Sequence, residues 1–442
     1  MSASDRLQHS DAPLRRECQN VGLTPNLAMC GTDPSAKRVA FLTHEPLSPP
    51  TGGGSAELVY LAQEAVRRGL EVHVFGPAGD DAETVRRQFG VRLHPFTAWA
   101  MGRYTRWRNL KYLLYPFFLE RLVAPAHRAS PFDALVSQHA IAAVAAGRLR
   151  RAFGVPVVMN FLDHLTGFME TWPAWLMPPP LLAVLKRYEL SLPRRADVEG
   201  VLTVSEPLAD LFAATGYPRA RLQPMYYGYD ARLFPFDPAA LARRTDSPPT
   251  IVMHGSLDHH HLGPIALDAV ATVRAARPDA VFKFIGHLTP ALRRFLARVE
   301  QRGLRSSIQT TGFRPYRDVA GELSRASVGM VPYEESTGVH CAFVAKVVEY
   351  LGVGLPVVCT PLTGIRRYFA HEPLMSFAQF DGRDFGQRIL AWLEEPLAAR
   401  NARAQAASDR VRRELDWRVL CQRALDFIEE RTRRPERSSP RP

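Results

Sequence analysis

The chain has little cysteine, and it lacks any apolar run long enough to cross a membrane. Its five cysteines, Cys18, Cys30, Cys341, Cys359 and Cys421, are scattered along 442 residues. They form no spacing typical of a zinc site or a disulfide framework, which favours a reducing compartment. No stretch approaches the roughly 18 to 20 uncharged apolar residues of a membrane span, and the N-terminus has no apolar core of the signal-peptide kind. The sequence therefore predicts a cytoplasmic protein.

Signatures of nucleic-acid-binding folds are also absent. The net charge is +12, from 56 basic and 44 acidic residues, and a positive field attracts nucleic acid, anionic membranes and phosphorylated small molecules. However, arginine is spread along the chain, and no basic helix has a base-reading spacing. Nucleic acid is thus the weaker alternative, and it would predict salt-sensitive retention on DNA without sequence specificity.

What the chain does contain is two series of short apolar runs that alternate with helix-length segments. A length of 442 residues favours two domains of about 200 residues each. Runs that are apolar throughout, with helices between them, are typical of parallel strands covered on both faces. The runs lie at 38–44, 71–76, 134–139, 156–161 and 200–205, and then at 250–255, 280–286, 308–313, 328–333 and 355–360.

We therefore predict an α/β fold of two doubly wound, Rossmann-like parallel-sheet domains that face each other across a cleft. The proline-rich stretch 234–249 separates the two series. In open parallel sheets, ligands bind at the carboxyl ends of the strands, so the cleft is the expected site. Residues 1–37 and 433–442 are polar and aperiodic, and they are predicted to be a disordered leader and tail.

A run of glycines follows the first predicted strand and begins a helix. Glycines let the backbone approach a ligand, and the amides at a helix N-terminus favour an anion. Gly53, Gly54 and Ser55 are therefore candidates for a phosphate or acceptor loop. The spacing is neither GxGxxG nor a P-loop, which excludes a standard dinucleotide or ATP site. A turn that binds no ligand remains the alternative.

Two consecutive strand ends carry titratable groups. His139 ends the run 134–139, and Asp163 with His164 follows the run 156–161. A histidine at this edge can act as a hydrogen-bond donor, a general base or a charge stabiliser, although a half-buried histidine bonded to backbone is the alternative. Because both ends carry such groups, His139 and Asp163 are the candidate catalytic residues.

The stretch 253–263 contains four histidines, His254, His259, His260 and His261. Adjacent histidines cannot all turn to one metal ion from regular structure, and no carboxylate spacing completes a zinc pattern. No metal site is therefore predicted. The stretch follows the first strand of the second series and precedes a helix, so it is a candidate phosphate-side loop.

Lys346 and Glu349 lie three residues apart in the stretch 341–359, which the sequence predicts to be a short helix followed by a buried strand. On a helix they share one face. They are either a surface ion pair or two groups that hold a ligand in a cleft, and the spacing alone leaves both alternatives open.

The segment 101–128 mixes arginines with tryptophan, tyrosine, phenylalanine and leucine, and 171–188 is similar. Basic and aromatic side chains together suit a membrane interface. They equally suit ordinary helices that pack on a sheet and carry arginines at the surface, so both alternatives stay open.

These pieces, in this order, resemble the GT-B glycosyltransferases of family 4. The family's motifs are matched by GGGSAELVYLAQEAVRRGLEVHVF (52–75), VLTVSEPLADLFAATG (201–216), YYGYDARLFPF (226–236), KVVEYLGVGLPVV (346–358) and DWRVLCQRALDFIEE (416–430). The resemblance covers about residues 38 to 432. It implies an acceptor-side domain at 38–236, a donor-side domain at 237–415, and a helix at 416–432 that crosses back onto the first domain.

The resemblance also implies roles for individual residues. Glu349 matches a glutamate that bonds the ribose hydroxyls of the nucleotide, and Lys346 would contact the diphosphate or the sugar. His139 matches the first-domain histidine that helps at the reacting centre. Backbone amides near Gly338, Val339 and His340 would face the diphosphate or the sugar.

The chain departs from the family pattern at two places. Cys341 stands where the first glutamate of the E-x7-E motif is usual, and Ser256 stands where the phosphate grip has an arginine. In an active enzyme, the histidines up to His261, Lys346 or Arg314 must then supply the positive charge. The loss of two fixed cations can also mark an inactive homologue.

The sequence thus predicts a retaining, metal-independent glycosyltransferase that needs no cofactor. It would move a sugar from a nucleotide-diphosphate sugar, preferably a UDP-sugar, to a hydroxyl in cell-envelope glycan or secondary-metabolite biosynthesis. The alternatives are a GT-B sugar-nucleotide epimerase and a non-catalytic homologue that acts as a binding partner. The expected partners are the nucleotide sugar and a small-molecule or lipid-linked acceptor, with peripheral contact at the inner membrane face through 101–128 left open.

Overall fold

The computed structural model describes residues 36–48, 53–79, 81–96, 108–245 and 248–433. The predicted disordered leader and tail therefore fall almost entirely outside the described residues, as does the start of the segment 101–128. Among the described helices, none is both long and apolar enough to cross a bilayer.

The first sheet has seven parallel strands in the order β3-β2-β1-β4-β5-β6-β7. Its central strands β4 and β5 are mostly apolar and buried along their whole length, because helices cover both faces. The strands are β1 (Arg38–Leu42), β2 (Glu71–Pro77), β3 (Arg92–Phe96), β4 (Ala134–Gln138), β5 (Val157–Phe161), β6 (Gly200–Thr203) and β7 (Leu222–Pro224). The helices are α1 (Gly53–Arg67), α2 (Ala82–Phe89), α3 (Arg108–Ala129), α4 (His139–Phe153), α5 (Leu165–Phe168), α6 (Pro179–Ala196) and α7 (Glu206–Ala214).

The second sheet has six parallel strands in the order β10-β9-β8-β11-β12-β13. Its strands are β8 (Thr250–His254), β9 (Val281–Ile285), β10 (Ile308–Gly312), β11 (Val328–Val331), β12 (Val357–Cys359) and β13 (Met375–Phe377). The helices from the linker onward are α8 (Pro238–Ala242), α9 (Pro264–Ala276), α10 (Pro290–Gln301), α11 (Tyr316–Arg325), α12 (Thr337–Cys341), α13 (Ala345–Gly352), α14 (Thr363–Phe369), α15 (Gly382–Glu394), α16 (Leu397–Glu414) and α17 (Trp417–Thr432).

The last helix, α17, belongs by its contacts to the first domain. It packs along α1, where Trp417 stacks on Tyr60 with ring centroids 5.0 Å apart. Phe427 lies where a Cβ on Gly200 would stand, so the start of β6 needs glycine to let the helix approach. The buried side chains of α17 join the core that covers one face of the first sheet. The predicted crossing helix is thus present.

The structure corrects the sequence prediction at three points. The strands β3, β7 and β13 were not expected, because they are short or partly exposed and their apolar pattern is weak. His139 begins α4 instead of ending a strand. The helical part of 341–359 starts only at Ala345, because Ala342–Val344 separates α13 from α12.

Candidate functional site

Each sheet has one point where the chain changes its direction of winding. In the first sheet this point lies between β1 and β4, and in the second sheet it lies between β8 and β11. The loops beyond the carboxyl ends of two such strands diverge and leave a crevice that binds ligands. Most of the predicted site residues follow these four strands, whereas Asp163 follows β5 and Arg314 follows β10.

On the first domain, His139 stands at this crevice in a strained conformation. Its φ is +63°, in the left-handed region that a side chain with a Cβ seldom adopts. The His139 ring faces the glycine loop, since a Cβ on Gly54 would lie 2.9 Å from its Nε2. The Gly54 carbonyl accepts a hydrogen bond from Gln138 Nε2 at 2.8 Å. The glycine loop is therefore tied to the end of β4 beside the histidine.

Two residues that the sequence analysis missed lie beside His139. The His44 ring is 4.7 Å from the His139 ring between centroids, and His44 Nε2 is 3.6 Å from Glu45 Oε1. One ligand atom from each of His44, Glu45 and His139 lies within 4.8 Å of the others, so this group could hold a metal ion; within the described ranges it is the one such group found. The signal available in the sequence was position, because His44 and Glu45 follow the end of β1.

A buried carboxyl group, that of Glu57, lies close to this side of the site. Glu57 on α1 accepts a hydrogen bond from Asn160 Nδ2 at 2.5 Å. Burial, and to a smaller degree the nearby charge of Asp163, raises the pKa of Glu57 to about 8, so this carboxyl is mostly protonated at neutral pH. Asp163 itself is half-buried. Its charge also helps to raise the pKa of Tyr333 in the second domain, after the larger effect of burial. Asp163 follows β5, which lies next to β4 in the sheet.

On the second domain, Glu349 is buried and oriented by a histidine. Glu349 Oε2 lies 2.5 Å from His254 Nε2, and His254 Nδ1 lies 3.2 Å from the Tyr350 hydroxyl. His254 is the last residue of β8. The carboxylate of Glu349 therefore stands at the crevice between β8 and β11.

Lys346 reaches the same crevice one turn earlier on α13. Its side chain is buried, and a Cβ on Gly255 would lie 3.8 Å from its Nζ. Gly255 has a φ of +91°, so the turn after β8 folds over the ammonium group, and the Tyr333 ring centroid is 5.8 Å from Nζ. Because Lys346 and Glu349 are both buried, the surface ion pair is excluded.

Residues 52–228 match the family model of the glycosyl transferase 4-like domain, and residues 248–395 match that of the glycosyl transferases group 1. The chain is a glycosyltransferase of group 1. The two matches together span about three quarters of the sequence; the first contains β4 and His139, and the second contains β8 and β11. The predicted enzyme class, a glycosyltransferase of group 1, is thereby confirmed.

Solved structures show the same fold at low sequence identity. Sucrose-phosphate synthase from Thermosynechococcus elongatus is 15% identical, with a TM-score of 0.74 over 89% of this chain and 98% of that one. HepE from Anabaena, in complex with UDP-glucose, is 18% identical, with a TM-score of 0.67 over 89% and 99%. WaaG, a glycosyltransferase involved in lipopolysaccharide biosynthesis, is 18% identical, with a TM-score of 0.62 over 88% and 99%. Among curated protein sequences, none matches. The GT-B fold is confirmed.

Three consecutive histidines, His259 to His261, lie in the loop 255–263 between β8 and α9, and their rings point in different directions. His261 is buried, and its Nδ1 accepts the amide of Asp258 at 3.1 Å. The His260 ring lies 5.1 Å from Phe168 of the first domain, and His259 Nε2 lies 2.5 Å from Arg294 Nη2. The loop therefore lines the second-domain wall of the cleft and contacts the first domain. Ser256, half-buried, directly follows the Gly255 turn above Lys346.

Two other predicted donor contacts are placed differently. Arg314 is exposed beyond the edge strand β10, two strands from β8, and its role as a donor contact stays a prediction. Cys341 is buried at the end of α12, and its carbonyl accepts a hydrogen bond from Ser205 Oγ of the first domain at 2.5 Å. Burial raises the pKa of the Cys341 thiol to about 12. A neutral thiol lacks the charge of the glutamate that is usual at this position.

The predicted backbone contacts on α12 are already engaged. The Val339 amide bonds Ser336 Oγ at 3.3 Å, and the His340 amide bonds the Ser336 carbonyl at 3.2 Å. Gly338 packs against the backbone of Gly167 and Phe168. The Val339 and His340 amides thus already have partners within α12, and the role of these backbone positions as donor contacts stays a prediction.

Proposed function

We propose that this glycosyltransferase moves a sugar from a nucleotide-diphosphate sugar, preferably a UDP-sugar, to a hydroxyl acceptor, with retention of configuration and without a metal ion. One observation carries the proposal. The buried Lys346 and Glu349 occupy the crevice of the second sheet, and the strained His139 occupies the crevice of the first. Lys346, which can hold an anion, and Glu349, which can hold a diol, thus lie on one side of the cleft, and the titratable His139 lies on the other.

The proposed donor contacts follow from the chemistry of the two α13 side chains. A carboxylate can accept both hydrogen bonds of a vicinal diol, so Glu349 would hold the ribose while His254 fixes its orientation. The ammonium group of Lys346, under the Gly255 turn, would lie against the diphosphate. HepE, which shares the fold, was solved with UDP-glucose, and this supports a UDP donor.

In the proposed reaction, the bond from the anomeric carbon to the diphosphate oxygen breaks as the acceptor oxygen bonds to that carbon, and the proton of the acceptor hydroxyl passes to the leaving diphosphate. The leaving diphosphate gains negative charge, which Lys346 would stabilise together with the hydroxyl of Ser256 and the loop around His261. His139 would contact the transferring sugar from the first domain, and Asp163 would stand beside it. Gly53, Gly54 and Ser55 would form the floor of the acceptor side, since Gly54 directly faces the His139 ring.

A panel of UDP-, GDP- and dTDP-sugars, each tested by thermal shift in the presence of EDTA, examines this function. A donor at 100 times its dissociation constant stabilises the folded state by about 2.7 kcal/mol, which corresponds to a rise in melting temperature of about 3 °C for a chain of this length. We expect that rise with a UDP-sugar and a smaller one with the other two. No shift with any donor would contradict the proposal.

The same nucleotide sugars, now tested for conversion with and without an acceptor, separate the alternatives. Conversion of a UDP-sugar without any acceptor would identify an epimerase. Nucleotide binding without turnover on any acceptor would identify a non-catalytic homologue. Loss of turnover in EDTA that is restored by a divalent ion would contradict metal independence and would direct attention to His44 and Glu45.

We further propose that the first domain contacts an anionic membrane surface and takes a lipid-linked acceptor there. Of the nine large apolar side chains that are exposed among the described residues, seven lie on α3, on α6 or just before α6. We name these seven the apolar face: Leu113, Phe117, Trp175, Leu176, Leu181, Val184 and Tyr188. Arginines accompany it, with Arg148 over the Phe117 ring at 4.2 Å and Arg195 over the Tyr188 ring at 5.4 Å. Apolar and cationic groups together suit an anionic bilayer.

Flotation with lipid vesicles tests this contact. The chain should float with vesicles that contain phosphatidylglycerol and remain in the dense fraction with pure phosphatidylcholine. Replacing Trp175, Leu181 and Val184 together by serine should reduce flotation at least fivefold, since three apolar side chains would no longer enter the interface. A matched change at the two exposed apolar residues outside the face, Leu288→Ser and Phe313→Ser, should have no effect. Equal flotation of both variants would contradict the proposal.

A further inference from the structure

A carboxylate of the first domain, Glu170, contacts the start of α12 in the second domain. It lies in the 3₁₀ turn Met169–Thr171. Glu170 Oε2 accepts the amide of Thr337 at 2.6 Å, and Oε1 accepts the Thr337 hydroxyl at 2.7 Å. Lys186 on α6 forms an ion pair with Glu170, and its Nζ lies 3.2 Å from Thr337 Oγ1. We name these three residues, Glu170, Lys186 and Thr337, the clasp.

The charge state of Glu170 is set by the clasp itself. Its partial burial would raise the pKa, but the hydrogen bonds from Lys186 and from the amide and hydroxyl of Thr337 outweigh burial and lower it. Glu170 is therefore ionised at neutral pH, and each of its oxygens accepts a hydrogen bond from across the cleft. Charge-assisted hydrogen bonds of this kind are roughly twice as strong as neutral ones.

The backbone next to the clasp is pressed against α12. A Cβ on Gly167 would lie 2.6 Å from the Gly338 amide nitrogen, and a Cβ on Gly338 would overlap the Phe168 nitrogen. The two backbone segments can approach this closely only because both positions are glycine. Any side chain at Gly338 would push α12 away from the first domain.

The first-domain half of this contact is held rigidly by α6. The buried carboxylate of Glu189 accepts the amides of Leu165 and Thr166 at 2.9 and 2.8 Å, and His164 Nδ1 lies 3.3 Å from the same carboxylate. Because Glu189 fixes the start of the segment 164–171 and Lys186 fixes its end, a displacement of this segment would require α6 to move as well.

We propose that Glu170 is a positioning residue for sugar transfer: it fastens α12 to the acceptor-side domain and thereby sets the width of the cleft. This inference rests on the proposed function. The link to the donor residues is short, since only Ala342–Val344 separates α12 from α13, which carries Lys346 and Glu349. A shift of α12 is therefore passed to both, and their distance from His139 changes. The clasp acts through these residues and does not touch the reacting atoms.

The structure provides a matched control for this interdomain contact. Arg367 on α14 pairs with Asp210 on α7 at 2.5 Å, and both side chains are about half exposed. This second ion pair also joins the two domains, but it lies on α7 and α14 and shares no hydrogen bond with Glu170, Lys186 or Thr337. A role specific to the clasp should therefore distinguish Glu170→Ala from Asp210→Ala.

The test uses the full chain with fluorescent labels on two exposed positions, Arg87→Cys in the first domain and Arg388→Cys in the second. In the absence of donor, Glu170→Ala should broaden the distribution of label distances toward longer values, whereas Asp210→Ala should leave it unchanged. Gly338→Ala, which separates the backbones without altering a charge, should reproduce the broadening. An unchanged distribution in Glu170→Ala, or equal broadening in Asp210→Ala, would overturn the proposal.

Turnover gives the second measurement. Glu170→Ala should lower kcat about tenfold. The rise in melting temperature that the donor causes should differ less than twofold from that of the unaltered chain, because the donor contacts themselves remain. Glu170→Gln, which keeps an acceptor for Thr337, should recover part of the loss. Asp210→Ala should lower kcat less than twofold, and equal kcat in the two alanine variants would also overturn the proposal. If no donor supports turnover in the unaltered chain, the proposed function fails, while the label distances still decide whether the clasp holds α12.

Discussion

Replacing Glu349 by alanine is expected to weaken nucleotide binding about 100-fold. In the proposed complex, the carboxylate accepts two charge-assisted hydrogen bonds from the ribose diol, and each contributes about 1.5 to 3 kcal/mol. The loss of about 3 kcal/mol corresponds to about two decades in the dissociation constant. Calorimetric titration with UDP measures this directly, without any need for an acceptor.

The control must separate lost binding from lost stability, because Glu349 also bonds the buried His254. Glu372 offers a match: it is another buried carboxylate of the second domain, and it pairs with Arg410 at 3.3 Å, away from the cleft. Glu372→Ala should lower the melting temperature but leave the affinity for UDP within twofold. Unchanged affinity in Glu349→Ala, or an equal loss in Glu372→Ala, would rule out the ribose contact.

Changes at His139 should separate catalysis from stability. His139→Ala is expected to lower turnover about 100-fold, a loss typical of removing a side chain that acts at the reacting centre. His139→Gly should lose the same activity, but it should be more stable than His139→Ala by about 1 kcal/mol, because glycine adopts a φ of +63° without strain. Saturating kinetics and urea unfolding measure the two effects.

Asp197 is the matched position for the backbone argument. Apart from His139, it is the non-glycine residue with a positive φ among those described, at +47°, and it ends α6 away from both crevices. Asp197→Gly should also exceed Asp197→Ala in stability by about 1 kcal/mol, with turnover unchanged in both. Wild-type turnover in His139→Ala would remove His139 from the reacting centre, and a less stable glycine variant would show that its backbone is not strained.

Much of the fold could be predicted because its central strands are mostly apolar and lack the alternation of a half-exposed strand. Buried runs such as Val157–Phe161 can only be covered on both faces, and this requires helices between parallel strands. Three of the four strands at the sheet edges, β3, β7 and β13, escaped prediction because they lack such buried apolar runs. Arg92–Phe96 alternates exposed and buried residues and contains Pro95, so its composition is that of an ordinary connection.

The site was only partly visible in the sequence. Lys346 and His139 could be placed because strand order brings the loops at each crevice together, and a charged residue on an apolar helix stands out. His44, Glu45 and Glu57 carry no spacing that marks them, and they reach the site only through the tertiary fold. Arg314 was expected at the donor because a cation was needed there; it is exposed beyond the edge strand β10, and its contact with the donor stays a prediction.

The position of α17 has a consequence for how the protein is made. The face of the first sheet that α17 covers carries Val39, Phe41 and Val158, which are synthesised long before Trp417–Thr432. At about 5 to 20 residues per second, the ribosome needs about 10 to 40 s to pass from the end of β7 to the end of α17. During that interval the nascent first domain displays an uncovered apolar surface. The domain that begins folding first is therefore completed last, and nascent chains stalled within the second domain should be strong clients for chaperones.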